Sequence, residues 1–216
     1  MCDIKKLEKE AISATELFKP LVCDFDLLLT DAKKKTVKKQ FAKGFKYLHR
    51  GFYCPSRDIE YIVTNVKRGK LVSENKVVKG DCFEYGFDEK GKMLYAHQFS
   101  NEKKHSYSYY EIMKYEGKNV LSVYGDYTGK LNYVFFYSMC TYNKQDEIIE
   151  YTVYGVDPIT NNVSNIEKEI YSYNGNILET VVYHYSVKTG FYTGIYSIDR
   201  YKFLLDDNHN ILNMIW

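Results

Sequence analysis

Five cysteines (Cys2, Cys23, Cys54, Cys82, Cys140) and five histidines (His49, His97, His105, His184, His209) are the residues most able to bind a metal or do nucleophilic chemistry. Cys2 and Cys23, the closest cysteines, are 21 positions apart. That spacing forms no CxxC or zinc-ribbon set, and the odd number argues for reduced thiols rather than a disulfide framework. A Cys–His dyad would have to be assembled through space, from Cys82 or Cys140 with His97 or His184. The phosphate-cradling glycine loops, the zinc-binding HExxH and the GxSxG nucleophile turn are all missing. The acidic pairs Asp88–Glu89 and Asp206–Asp207 fall among turn residues, where short polar side chains serve the backbone. The chain therefore reads as non-enzymatic, with no catalytic residue, metal or cofactor expected.

Charge is distributed unevenly. Residues 1–80 carry 18 Lys/Arg against 10 Asp/Glu, and residues 81–216 carry 12 against 18, so a net of +8 faces a net of −6. From Ala32 to Arg57 there are seven lysines, two arginines and no acid, interleaved with Phe41, Phe45, Tyr47, Phe52 and Tyr53. Such a run could lay cations on phosphates and rings on bases. Its preference for lysine over the bidentate arginine argues against sequence-specific reading. An acidic protein partner, or a wet lysine face over a buried aromatic stripe, are the other readings.

The second surface is tyrosine-rich. Of 23 tyrosines, only Tyr47, Tyr53 and Tyr61 precede residue 80. In a strand, alternate side chains share a face, so Tyr107 and Tyr109 lie on one side and Tyr110 on the other. By the same rule Tyr133, Phe135 and Tyr137 share a face, with Phe136 opposite. Aromatic rings with acidic neighbours suit a protein or carbohydrate contact. The candidate partner-binding residues are Tyr107, Tyr109, Tyr110, Glu111, Glu116, Tyr124, Asp126 and Tyr127.

The elements that must position these residues follow from periodicity. Leu7, Ala11, Ala14 and Phe18 recur at helical spacing, predicting a helix over about 4–19, capped by Asp3 and stopped by Pro20. Val37, Phe41, Phe45, Leu48 and Phe52 are ambiguous, and Gly44 and Gly51 weaken a helix. We expect a helix over 31–43 and a strand over 45–53. From Asp58 the period is two. Short strands are expected around Ile59–Val63, Leu71–Val72 and Val77–Val78, with a turn at 67–70. Beyond Asp81, alternating runs are divided by turn signals at 88–92, 116–119, 128–129, 143–144, 160–162, 174–176, 189–190 and 206–210. The fold class is mainly β: an antiparallel meander of repeated hairpins with one or two N-terminal helices packed on it. We expect one domain over 1–216, with a basic helical N-terminal element over 1–57 and a Tyr-rich antiparallel sheet over 58–216.

The unit Tyr171-Ser172-Tyr173-Asn174-Gly175-Asn176-Ile177, and Phe83-Glu84-Tyr85 through Gly91, resemble the YD or RHS repeat, in which a tyrosine precedes an Asp/Asn-Gly turn and an apolar strand. The resemblance extends over residues 83–216 at irregular spacing. It implies stacked hairpins and a setting in bacterial toxin biology.

No apolar run is long enough for a signal core or a membrane span, so a cytoplasmic location is expected, with no membrane partner. The expected function is binding another protein, most concretely as a bacterial immunity protein whose acidic surface neutralises a basic toxin domain. The alternatives are a carbohydrate- or cell-wall-binding module using exposed tyrosines, a hydrolase with an acidic cleft, and a nucleic-acid binder through residues 32–57.

Overall fold

The computed structural model describes residues 4–44, 48–49, 52–53, 59, 62–63, 69–77, 82–100, 106–157, 159–160, 162–189 and 192–215. Among the described residues, two helices, α1 (Ile4–Cys23) and α2 (Phe25–Lys35), precede fourteen strands. These are β1 (Lys38–Lys43), β2 (Leu48–His49), β3 (Phe52–Tyr53), β4 (Lys70–Val72), β5 (Cys82–Phe87), β6 (Met93–Ser100) and β7 (Tyr107–Glu116). They continue with β8 (Asn119–Tyr127), β9 (Leu131–Tyr142), β10 (Ile148–Val156), β11 (Val163–Asn174), β12 (Ile177–Thr189), β13 (Tyr192–Leu205) and β14 (Ile211–Met214). Twelve strands make one antiparallel sheet in the order β14-β13-β12-β11-β10-β9-β8-β7-β6-β5-β1-β4. The expected meander is thus present, with both helices laid on one face.

Turn chemistry sets the hairpins. Gly117 and Gly175 take φ of 60° and 58° in two-residue turns, where positive φ matches the twist of the flanking strands. Longer turns are closed by side chains. Asp88 Oδ1 accepts from the Lys90 and Lys92 amides at 2.9 and 2.8 Å, and Asp206 Oδ1 accepts from the Asn208 and Asn210 amides at 2.8 Å each. Both expected turn carboxylates are therefore engaged by backbone. All the expected turns beyond Asp81 fall at strand junctions.

The N-terminal region differs from the periodicity. Pro20 lies inside α1 rather than after it. The apolar stripe Ala11, Ala14, Phe18 continues through buried Leu21, Phe25, Leu29 and Ala32, and this packing carries the chain past the missing proline N–H. The second helix begins at Phe25 and ends at Lys35, not Lys43. Lys33, Lys34 and Lys35 occupy its last turn, where the helix dipole favours cations. Residues 38–43 are strand because β5 pairs with them, Ala42 opposite Phe83. Tertiary pairing overrides the helical spacing there. Of the strand expected over 45–53, the short β2 and β3 are described, and the rest lies outside the described residues. Ile59, Ile62 and Val63 are helical, not extended, and the four-residue step brings Ile59 and Val63 into the same apolar cluster. Val77 follows a short 3-10 turn (Glu74–Lys76) instead of forming a strand. Asp3, Val78 and the turn at 67–68 lie outside the described residues.

Both sheet faces are buried. On the helix face, Phe18 stacks on Tyr137 with centroids 4.7 Å apart, beside Tyr154 and Ile166. On the opposite face, Tyr85, Tyr124, Tyr151, Tyr171 and Phe203 form a second core with Ile59 and Val63. Between the faces, one bulge changes the expected alternation. Tyr124 pairs with Phe136 but Gly125 pairs with Val134, which leaves Phe135 as an extra residue. Val134 and Tyr137 consequently point to the helices, while Phe135 and Phe136 both face the other way. Tyr133, Phe135 and Tyr137 do not share a face.

Candidate partner-binding surface

Strands β7, β8 and β9 carry most of the candidate residues, and register decides which of them meet. Tyr109 lies opposite Asp126, and Asp126 opposite Tyr133. All three lie on the face away from the helices, at the end of the sheet marked by the β8–β9 turn. Tyr107 stacks on Tyr109 with centroids 4.8 Å apart, and Tyr109 meets Phe135 edge-on at 5.5 Å. Asp126 accepts from Asn132 Nδ2 at 2.9 Å. Tyr133 is 53% exposed, while Tyr107, Tyr109 and Asp126 are half-buried. This corner is an aromatic ledge with one carboxylate.

The other candidates sit elsewhere. Tyr124 is buried beneath the ledge against Phe135 and Phe136, its hydroxyl donating to Gln98 Oε1 at 3.0 Å. Glu111 is fully buried and accepts from Ser122 Oγ at 2.6 Å, and Ser122 in turn meets Ser138 Oγ at 2.7 Å. Tyr110 and Tyr127 are on the helix face, 5.2 Å apart and perpendicular, with Tyr127 against Phe25 of α2. Glu116 pairs with Lys114 at 2.6 Å at the opposite end of β7. Seven residues separate it from Tyr109, roughly 24 Å of strand.

A second polar cluster forms under α2. Lys33 Nζ donates to the Tyr110 oxygen at 3.1 Å, and His97 stacks on the Tyr110 ring at 3.9 Å. His97 Nε2 meets Ser108 Oγ at 3.0 Å. Tyr95 donates a short hydrogen bond to Glu84, and Lys39 pairs with that carboxylate at 3.0 Å. Gly86 makes room for the Tyr95 ring, since a Cβ there would meet Tyr95 Cε1 at 2.2 Å. Burial opposes ionisation of Glu84, but the bonds from Tyr95 and Lys39 outweigh it and hold the carboxyl below its ordinary value. Burial pulls Lys33 below its ordinary value and His97 down to about 4, and pushes Tyr110 up to about 12. A histidine with so low a value is a weak base toward Ser108. Sequence reasoning missed this cluster. Its only signal was that His97 shares the strand face of Tyr95, one strand from Tyr110.

Three cations of the basic run have partners within the fold. Lys33 and Lys39 bond Tyr110 and Glu84, and Lys35 pairs with Asp31 at 2.6 Å. The β3 strand approaches β8 and β9. The thiols and histidines take separate places. Cys140 is buried and its thiol is pushed up to about 12 by that burial. His184 lies between Glu167 Oε2 at 3.2 Å and Asp199 Oδ2 at 3.0 Å, one on each ring nitrogen. Among the described residues, no group of three His, Cys, Asp or Glu could hold a metal ion. No described helix is long and apolar enough to cross a membrane.

No family model, curated protein or solved structure matches this chain.

Proposed function

We propose that this chain is a non-enzymatic protein-binding protein, and that its partner docks on the ledge of Tyr107, Tyr109, Asp126 and Tyr133. The concrete version is a bacterial immunity protein acting in the cytoplasm on a basic toxin domain. The observation that carries the reading is the ledge itself: stacked, partly exposed tyrosines over a buried aromatic layer, with a carboxylate between them. Tyrosine supplies large contact area at low entropic cost and is enriched where interfaces bind tightly. A carboxylate in the middle selects a cationic partner group. The faint YD-type pattern adds the toxin setting.

The test is affinity capture from the native host at low and high salt, followed by purification of the recovered protein. A stoichiometric protein that is lethal when expressed alone, and harmless when co-expressed with this chain, is the expected result. The pair Asp126→Lys and Tyr133→Ala should weaken that complex at least 100-fold with folding intact. Unchanged affinity in the double variant removes the ledge from consideration. Recovery of glycan or nucleic acid in place of a protein moves the function to that ligand.

A further inference from the structure

A groove of about 410 Å³ runs between α1 and the turn joining β10 to β11. Ala11, Ile12 and Val163 give it an apolar floor and wall, and Thr15, Thr160 and Ser164 add hydroxyls. Glu16 and Asp157 stand on its two sides. Asp157 Oδ1 accepts from the Ile159 and Thr160 amides at 2.8 and 2.9 Å, which fixes the turn and the carboxylate together. Lys19 lies a loose 3.9 Å from Glu16 with both side chains in solvent. Ile12 is 71% exposed and Ile159, on the same turn, 90%.

We infer that this groove receives a lysine or arginine side chain of the partner, a reading that rests on the proposed function. Three features select that occupant. The groove has an apolar floor, hydroxyls along its wall and carboxylates at its rim, matching a side chain with an aliphatic stem and a cationic head. An anionic group would meet two carboxylates, and a purely apolar one would strip water from them without compensation. The groove also lies at the same end of the sheet as the ledge, because the β8–β9 and β10–β11 turns point the same way in the meander. A partner rolled over that end reaches Tyr133 on one face and Asp157 on the other. Exposed Ile12 and Ile159 then become covered apolar contacts.

The test needs no identified partner. The full chain is titrated with acetyl-Leu-Lys-Leu-amide, with acetyl-Leu-Glu-Leu-amide and with agmatine, following backbone amide shifts by NMR. The lysine peptide should give saturable shifts at Thr15, Thr160 and Ser164, with the glutamate peptide at least tenfold weaker. Glu16→Gln with Asp157→Asn should lower the lysine-peptide affinity at least fivefold, while the Asn side chain still accepts the turn amides. Equal response to both peptides, or no loss in the double variant, overturns the assignment. Agmatine binding as tightly as the peptide assigns the groove to a small amine and also overturns it. Asp126→Lys should leave the peptide titration unchanged, so failure at the groove and failure at the ledge are read separately.

Discussion

On one face of the sheet, helices close over rings: Phe18 stacks flat on Tyr137, and Glu10 reaches across 144 residues to accept from the Tyr154 hydroxyl at 3.0 Å. On the opposite face, rings pack mainly on other rings of the same strands, Tyr124 against Phe135 and Phe136. The faces also solve charge differently. Lys168, under α1, is bonded by Glu10 at 3.1 Å and Glu150 at 2.8 Å, and these bonds outweigh burial to raise its pKa. Glu111, on the other face, accepts from the Ser122 hydroxyl of the next strand, which in turn meets Ser138 of the strand beyond. A face covered by a separate element can take both partners of an ion pair from different parts of the chain. On the other face the described partner of Glu111 comes sideways, from the adjacent strand.

The largest effect should come from the helix-covered face. Phe18→Ala removes the ring that plugs α1 into the sheet and should cost about 4 kcal/mol, read as a lowered urea midpoint. If the loss is under about 1 kcal/mol, the helices do not stabilise that face and the contrast collapses. Next is His97, on the helix face, whose pH dependence is opposite in sign to that of His184 on the other face. His97 is pushed to about 4 by burial, below an ordinary 6.5. The unfolded chain takes up its proton first, so stability should fall as pH drops from about 6.5 to about 4, by on the order of 3 kcal/mol. His97→Phe should flatten that limb in an acid-unfolding series. Ser122→Ala leaves the buried Glu111 without its hydroxyl donor and should cost about 2 kcal/mol by chemical denaturation. The smallest effect belongs to His184. The bond to Glu167 leads the causes that raise its pKa, with Asp199 adding to it against burial. Its contribution is therefore full below about 6.5 and fades as pH rises through the raised value. Partly exposed carboxylates limit it to under about 1 kcal/mol. His184→Gln should erase the difference between stability measured at pH 6 and pH 8.

Much of the β region was legible before any coordinates. Alternation and turn residues placed every strand connection beyond Asp81 except that between β6 and β7, because hairpin register is a local property. The helix-to-strand switch at Thr36 was not, because Lys38–Lys43 is a strand only by virtue of β5, about 45 residues away. The proline in α1 misled for a similar reason, since Leu21 and Phe25 anchor the helix beyond it. At the ledge, period two separated Tyr107 and Tyr109 from Tyr110 correctly. It failed at Phe135, where one inserted residue flips the face. The burial of Glu111 could not be read from its neighbours in sequence, because its partner Ser122 is supplied by the next strand. The cluster around His97 joins α2 to four strands, and no linear motif announces it.

From β6 to β14 each strand pairs only with its neighbours in sequence, so that part of the sheet closes short loops and can assemble by zipping along the chain. The helices precede the sheet in the chain: α2 finds its partners in β5–β7, but α1 packs on β8, β9, β11 and β12, and much of its surface comes more than a hundred residues later. Glu10 waits for Tyr154 and Lys168, and Phe18 for Tyr137. During elongation the part of the face that α1 covers therefore stays open until β11 and β12 are made, and docking of α1 is the step that ends this exposure.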